Sequence, residues 1–225
     1  MAFHQSSKRV VRRYLDPADR LQEVLCGLIM VLGFTLIGGL AEGEGRHGVR
    51  TLLIGAIGCN IAWGIIDGSL YAMGNLTARR EHLRFLSNLR NAPDENTAFS
   101  ILSGKVDPLL EPATSAEDRA RICHTLLPVM SRIQLPEGGV VKDDILGMIA
   151  VFLLNVVSVV PAIIPFLIVS QPHRALRISN ALLIASLFAV GFMWGKYIHV
   201  NRYVTAGCAV LIGLALVGIA IALGG

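Results

Sequence analysis

The sequence predicts an all-α polytopic membrane protein with five transmembrane helices, two before and three after a small cytoplasmic helical insert. Its mean hydropathy is +0.60 and only 16% of its residues are charged, whereas about a quarter of a soluble domain is charged. Five long apolar stretches each have roughly the 17–25 residues that cross a bilayer core as a helix. They are Val24–Leu40, Thr51–Leu76, Ile145–Ser170, Ile178–Gly195 and Tyr203–Gly225.

These stretches divide the chain into four regions. A basic N-terminal segment (1–20) precedes the first two transmembrane helices (21–76), a charged insert (77–144) comes next, and three transmembrane helices (145–225) complete the chain. The insert is too polar to cross a membrane. We expect the first apolar stretch to be retained, because it is too long for the apolar core of a signal peptide and lies behind a long polar leader.

The distribution of Lys and Arg predicts the orientation. With the N-terminus in the cytoplasm, 16 of the 20 basic residues lie in cytoplasmic segments and 4 in outside loops. The positive-inside rule therefore predicts a cytoplasmic N-terminus and insert, and a C-terminus outside. The excess of basic over acidic residues is explained by cytoplasmic flanking charges that face anionic lipid, so no nucleic-acid partner is predicted. The compact length without an organelle-type extension favours a bacterial inner membrane.

Local signals predict where several helices begin and end. Asp16 and Pro17 are typical of a helix start that leads into the first span. The second span is expected to continue as a helix past Arg79, because no breaker occurs before Pro93. In the third span, Pro161 and Pro165 are expected to kink the helix.

The insert is expected to form short helices. Asp94 is a candidate cap for a helix over Glu95–Leu102, and Gly104, Pro108 and Pro112 are expected to interrupt the chain after that helix. Ser115 to Asp118 resembles a capping box that opens a helix to about Ile133, which Pro128 should kink or end early. The apolar face expected to pack on another insert helix or on a partner subunit is Ile122, Leu126, Val129, Met130 and Ile133.

Asp67 is the leading candidate for a functional residue, because it is the one formal charge within the five stretches. A carboxylate inside a span costs roughly 2.5–3.5 kcal/mol to insert, which makes a function the default hypothesis. Asn60, Gly64, Asp67 and Tyr71 share one helical face, and Gly64 with Gly68 forms a GxxxG pair that permits close helix approach. The alternative is a structural hydrogen bond to Asn155, Asn180 or the backbone.

Glu23 begins the first span on the same side of the membrane as Asp67, and the two carboxylates are a candidate paired cation or proton site. The alternative is a headgroup-level pairing of Glu23 with Arg20 or Lys196. Asn155 and Asn180 are candidates to line a path or to join helices.

Met30 and Met73 are candidate soft metal ligands or apolar filler. No enzyme signature such as GxSxG, HExxH or a phosphate loop occurs, so we do not predict an enzyme. The four cysteines lie singly and predict neither a disulfide nor a zinc site.

Several short segments carry a family resemblance in the two-plus-three order of spans. They are Glu23–Gly27, Trp63–Gly74 with Arg79–Glu81, Phe152–Asn155 with Pro161–Pro165, and Gly195–Tyr197. These segments and their order resemble the vacuolar iron transporter family. The family's Asp-Gly pair in span one would fall at Met30-Val31, whereas this chain has Asp67-Gly68 in span two. The insert of this chain is also poorer in Glu than the insert of the family.

The resemblance implies a proton-coupled transporter of a divalent cation such as Fe²⁺ or Mn²⁺, without a resident cofactor. It also implies a homodimer with the ion path between spans one and two of both subunits. On this hypothesis Asp67 exchanges the cation for protons, assisted by Glu23 and Met30, and Asn60, Tyr71, Met73, Asn155 and Asn180 are path candidates. One alternative is a non-transporting membrane dimer whose insert binds a partner. Another is a transporter of a small organic solute that uses Asn60 and Asn155.

Overall fold

The computed structural model describes residues 15–38, 45–111, 113–130, 132–133 and 138–222. The N-terminal basic segment up to residue 14, most of the first outside loop and Pro112 lie outside these residues. The described chain is all-helical, as predicted. Its helices are α1 (Pro17–Gly38), α2 (Gly45–Arg90), α3 (Glu95–Leu110), α4 (Ala116–Met130), α5 (Lys142–Val157), α6 (Val160–Ile168), α7 (Pro172–Tyr197) and α8 (Arg202–Ala222).

Within the described residues, three helical segments are long and apolar enough to cross a membrane. They are Arg50–Arg90, Lys142–Ile168 and Pro172–Tyr197, which correspond to the second, third and fourth predicted spans. Helix α1 is 22 residues long but is not among them. The described part of α8 contributes a shorter apolar helix, Arg202–Leu216.

The chain divides into two compact units, and the first comprises residues 1–72 and 142–225. Helix α1 is central to it, since α1 contacts α5, α6, α7 and α8. The core of this unit has Leu28, Val31 and Leu32 of α1 packed with Leu183 and Leu187 of α7, all fully buried. The helix start predicted at Asp16-Pro17 is confirmed, because α1 begins at Pro17.

Two glycines bring α2 close to α5. A Cβ atom at Gly64 would lie 3.2 Å from the backbone oxygen of Phe152, and one at Gly68 would lie 2.7 Å from that of Met148. The predicted role of the GxxxG pair in close helix approach is confirmed. The face of α2 that carries Asp67 therefore packs against α5 of the same chain.

The third predicted span is interrupted between α5 and α6, as Pro161 led us to expect. In a regular helix the backbone oxygen of Asn155 would accept from the N–H of Val159. Here Val159 N donates to Val156 O at 3.3 Å instead, and Pro161 has no N–H to offer to Val157. The break leaves the Asn155 carbonyl available to side chains.

The second unit, residues 73–141, contains the end of α2 with α3 and α4. The predicted caps are present: Thr97 N donates to Asp94 Oδ1 at 2.7 Å, and Asp118 N donates to the Ser115 hydroxyl at 3.1 Å. Helix α2 continues to Arg90, as predicted, and α4 ends two residues after Pro128.

One expectation for the insert was wrong. Helix α3 does not end at Leu102 but continues through Gly104 and Pro108 to Leu110, because Pro108 falls in the last turn and interrupts the backbone ladder only there.

Helix α4 packs on α3 through a face next to the predicted one. Its buried residues are Cys123 and Leu127, and Met130 of the predicted face packs against the same core. Leu126, Val129 and Ile133 of the predicted face are exposed.

Candidate functional site

The side-chain amide of Asn155 joins the two candidate carboxylates. Asn155 Nδ2 on α5 lies 3.2 Å from Oε2 of Glu23 on α1 and 3.4 Å from Oδ2 of Asp67 on α2. Because one nitrogen contacts both, the two carboxyl oxygens can be no further apart than the sum of these distances. Glu23, Asp67 and Asn155 together form the carboxyl pair site. The structure thus brings together the two carboxylates that the sequence singled out.

The carboxyl pair site is enclosed by three helices. Asn155 is fully buried, and Glu23 and Asp67 are partly buried. Among the described residues Glu23 forms no ion pair with Arg20 or Lys196, so the headgroup-level pairing considered for Glu23 is absent. The hydrogen bond from Asn155 to Asp67 that was the structural alternative is present.

Asn60 fixes the break in the α5–α6 segment beside this site. The two N–H groups of its Nδ2 are shared among three acceptors: the backbone oxygen of Gly27 at 3.2 Å, that of Asn155 at 3.0 Å and the Ser158 hydroxyl at 3.1 Å. The Ser158 hydroxyl also donates to Asn155 O at 2.6 Å. These bonds satisfy the carbonyl that the helix break releases, and they join α1, α2 and α5.

Two oxygen atoms beside the site lack partners. Within the described part of the chain, the side-chain oxygens of Asn60 and Asn155 are buried and accept no hydrogen bond. A buried polar atom without a partner costs about 1–3 kcal/mol. Both are hard oxygen donors, one on Asn155 of the carboxyl pair site and the other on Asn60 beside it.

The electrostatics of the carboxyl pair site favour a cation. Two like charges at this separation repel each other strongly where the surroundings have a low dielectric constant. A divalent ion between them relieves that repulsion, and carboxylate, carbonyl and water oxygens suit Mg²⁺, Ca²⁺ and Mn²⁺ better than softer metals. Within the described residues no group of three or more His, Cys, Asp or Glu could hold a metal.

The other predicted site residues take different positions. The Tyr71 ring lies against Gly147 of α5, on the face of α2 that carries Asp67. Met30 is partly buried on α1, about 10 Å along the helix axis from Glu23 at 1.5 Å per residue. Met73 is 62% exposed on α2. Asn180 lies on α7, and its side-chain oxygen is buried without a partner among the described residues.

Two residues that sequence reasoning missed complete the surroundings of Asn60. Ser158 supplies the second donor to the Asn155 carbonyl, and a Cβ atom at Gly27 would collide with the Ser158 hydroxyl. The available signal was a serine three residues before Pro161, because a hydroxyl near a helix break can satisfy the carbonyls that the break releases. No pattern within α1 indicates that position 27 requires glycine, because the atom that a Cβ would meet belongs to Ser158.

The insert places its cysteine in a structural position. Cys123 is fully buried in the core that α3 and α4 share. Burial raises the pKa of the Cys123 thiol, so the reactive thiolate is scarce at neutral pH. The neighbouring His124 stacks against Phe99 with ring centroids 4.6 Å apart. These contacts indicate that Cys123 has a packing role in the insert.

For the residues that the structure describes, fold and site together define an all-helical protein with three segments long and apolar enough to cross a membrane and a carboxyl pair enclosed by its helices. In comparisons with known proteins, no family model and no curated protein sequence matches the chain.

Proposed function

We propose that the protein is a proton-coupled transporter of a divalent cation, either Mn²⁺, which oxygen ligands suit, or Fe²⁺, which the resemblance to the vacuolar iron transporter family implies. The observation that carries the proposal is the convergence of Glu23 and Asp67 on the amide of Asn155. Carboxylates within membrane helices are costly, face the protein interior and mark ion pathways. A structural role alone would not require two of them at one amide.

The broken α5–α6 segment supports the same proposal. Secondary transporters bind ions where a membrane helix is discontinuous and its backbone carbonyls leave the regular ladder. Here the break at residues 158–159 lies one helical turn beyond Asn155. The carboxyl pair site is therefore next to the part of the membrane segment whose backbone is not held by regular helix bonds.

Coupling to protons results from the ligand chemistry. A carboxylate must be deprotonated to bind a metal, so each bound cation competes with protons at Glu23 and Asp67. An ion that enters from one side would release protons, and reprotonation from the other side would expel the ion. This exchange needs no group beyond the carboxyl pair.

We further propose five spans, with α1 and α8 as the additional two, in a bacterial inner membrane. The excess of Lys and Arg in the N-terminal segment and the insert supports a cytoplasmic location for both. The resemblance to the vacuolar iron transporter family supports a homodimer. In a dimer, the apolar side chains exposed on α2 would face a second copy or lipid, among them Ile54, Ile65 and Leu70.

The proposal is tested by Mn²⁺ flux into proteoliposomes that contain an entrapped metal-sensitive dye, with and without a pH gradient. We expect uptake that depends on the gradient and falls at least tenfold in Asp67→Asn and in Glu23→Gln. Asp19→Asn is the matched control, because Asp19 is an exposed carboxylate one turn before Glu23 on α1. Flux that is unchanged in Asp67→Asn would contradict the proposal.

A second function is favoured by one observation, the exposed apolar side chains of the insert. The insert forms a compact unit of its own, and Leu109, Val129 and Val140 are 76%, 59% and 60% exposed. Such residues fit a non-transporting membrane dimer whose insert binds a partner protein. The melting temperature with added Mn²⁺, Fe²⁺, Zn²⁺ or Co²⁺ separates the two functions, because a bound ligand stabilises the folded protein. No shift with any of the four would favour the second function.

A further inference from the structure

A cavity of about 480 Å³ lies between the beginning of α2 and the end of α6. Its walls are mostly apolar, with Ile54 and Ile57 from α2 and Phe166 and Leu167 from α6, and Arg50 lies among them. The volume is in the range of small-ligand pockets. The cavity contains no residue of the carboxyl pair site.

The cavity lies where one apolar helical segment ends and the next begins. The segment Lys142–Ile168 ends at Ile168, and the segment Pro172–Tyr197 begins at Pro172. Both residues line the cavity, together with Arg50, which directly precedes the apolar stretch Thr51–Leu76. In a membrane, the cavity would therefore be at the boundary between the apolar and polar zones.

The charge around the cavity is positive. Arg50 is exposed, and among the described residues it has no ion-pair partner. Arg174 and Arg177 lie in the first turns of α7, and neither 50–57 nor 166–178 contains an acidic residue. Helix α7 begins at Pro172 without a side-chain cap, so the positive end of its dipole is also at the cavity.

We propose that this cavity binds an anionic phospholipid, with the phosphate at Arg50 and the first part of an acyl chain along Ile54, Ile57 and Leu167. A guanidinium binds phosphate oxygens through paired hydrogen bonds, and helix N-termini also bind phosphate. The remaining acyl carbons would continue over Leu167 and Ile168, which are 79% and 76% exposed. The apolar walls favour a lipid over free phosphate, which has no apolar part.

The proposal is tested by native mass spectrometry of the detergent-solubilised protein with an equimolar mixture of phosphatidylglycerol and phosphatidylcholine. We expect the wild-type protein to retain phosphatidylglycerol in preference. Loss of the charge-assisted contact in Arg50→Gln should reduce this preference about tenfold. Ile54→Trp should reduce bound lipid without a change of charge, since it fills the cavity from an exposed position.

Arg177→Gln is the matched control. It also replaces an arginine by glutamine, near the beginning of α7 that borders the cavity, but Arg177 does not line the cavity. The control should retain the wild-type preference. An unchanged preference in Arg50→Gln would overturn the proposal. So would an equal loss in Arg177→Gln, which would indicate general attraction to the interface, or displacement of the lipid by millimolar inorganic phosphate, which would indicate a simple anion site.

Discussion

The side-chain nitrogen of Asn60 on α2 lies 3.0 Å from the backbone oxygen of Asn155 on α5. This oxygen is the one that the break before α6 releases from the helix ladder. The bond therefore fixes the backbone of the residue whose side chain contacts both carboxylates. Asn60 is a positioning residue, since it acts on the carboxyl pair site through Asn155.

Replacement of Asn60 by Leu should destabilise the protein by about 1 kcal/mol, because both buried N–H donors of the amide are lost and interhelical bonds in membrane proteins average about 0.6 kcal/mol each. For a chain of this size the melting temperature should fall by about 2–4 °C. Thermal unfolding in detergent measures the change. Ser186→Ala is the control, because that exposed hydroxyl bonds only within α7 and its loss should change little. An unaltered melting temperature in Asn60→Leu would contradict the claim that Asn60 stabilises the backbone at the break between α5 and α6.

Ser158 and Asn60 should be energetically coupled, because both donate to the backbone oxygen of Asn155. Either donor alone still satisfies that oxygen, whereas Asn60→Leu with Ser158→Ala leaves it buried and unpaired. The double variant should therefore be less stable than the sum of the single effects by about 1–2 kcal/mol. A double-mutant cycle of unfolding free energies measures the coupling, and strictly additive effects would show that the oxygen has another partner.

Gly68→Ala should be destabilising by about 1–3 kcal/mol, because the new Cβ atom would meet a backbone oxygen that cannot move without shifting α5. That oxygen, of Met148, would be 2.7 Å away. Gly58→Ala is the matched control on the same helix, since nothing lies within 4 Å of its added Cβ. The comparison of their melting temperatures tests the packing of α2 on α5, and equal values would count against it.

The N-terminus of α3 should lose protection at low pH. The backbone N–H and hydroxyl of Thr97 hold the pKa of the Asp94 carboxyl below its ordinary value. A lowered pKa means that the cap contributes fully above the usual pKa of an aspartate and is lost as pH falls through the lowered value. The protection factors of the first α3 amides, which correct for the intrinsic slowing of exchange at low pH, should therefore fall in acid in the wild-type protein. In Asp94→Ser, whose hydroxyl caps without titrating, that fall should be absent, and its persistence would contradict the assignment.

Much of the fold could be predicted from the sequence because the signals were local. The helix start at Pro17, the cap at Asp94 and the interruption near Pro161 depend on one or two residues, and each is present. The face of α2 that carries Asp67 was predicted from helical spacing alone. The convergence of Asp67 with Glu23 was a hypothesis, because it depends on how α1 and α2 pack on α5.

What the sequence could not predict depends on packing between helices. The buried face of α4 is set by Cys123 and Leu127 against α3, and a search for larger apolar residues selected a neighbouring face. Asn60 was a candidate path residue, yet its nitrogen contacts two backbone carbonyls and a hydroxyl. Asn60 and its acceptor on Asn155 are 95 residues apart in the chain, so no local sequence pattern indicates that they are partners.

The most direct test of the central claim is the number of protons released when Mn²⁺ binds. Isothermal titration in two buffers of different ionisation enthalpy measures this number in the detergent-solubilised protein. We predict that Mn²⁺ binding releases protons and that its affinity falls as pH is lowered, because the metal needs deprotonated carboxylates. Binding and release should both be lost in Glu23→Gln and in Asp67→Asn and retained in Asp19→Asn. Mn²⁺ binding that survives both substitutions, or binding without proton release, would contradict a proton-coupled cation site at Glu23 and Asp67.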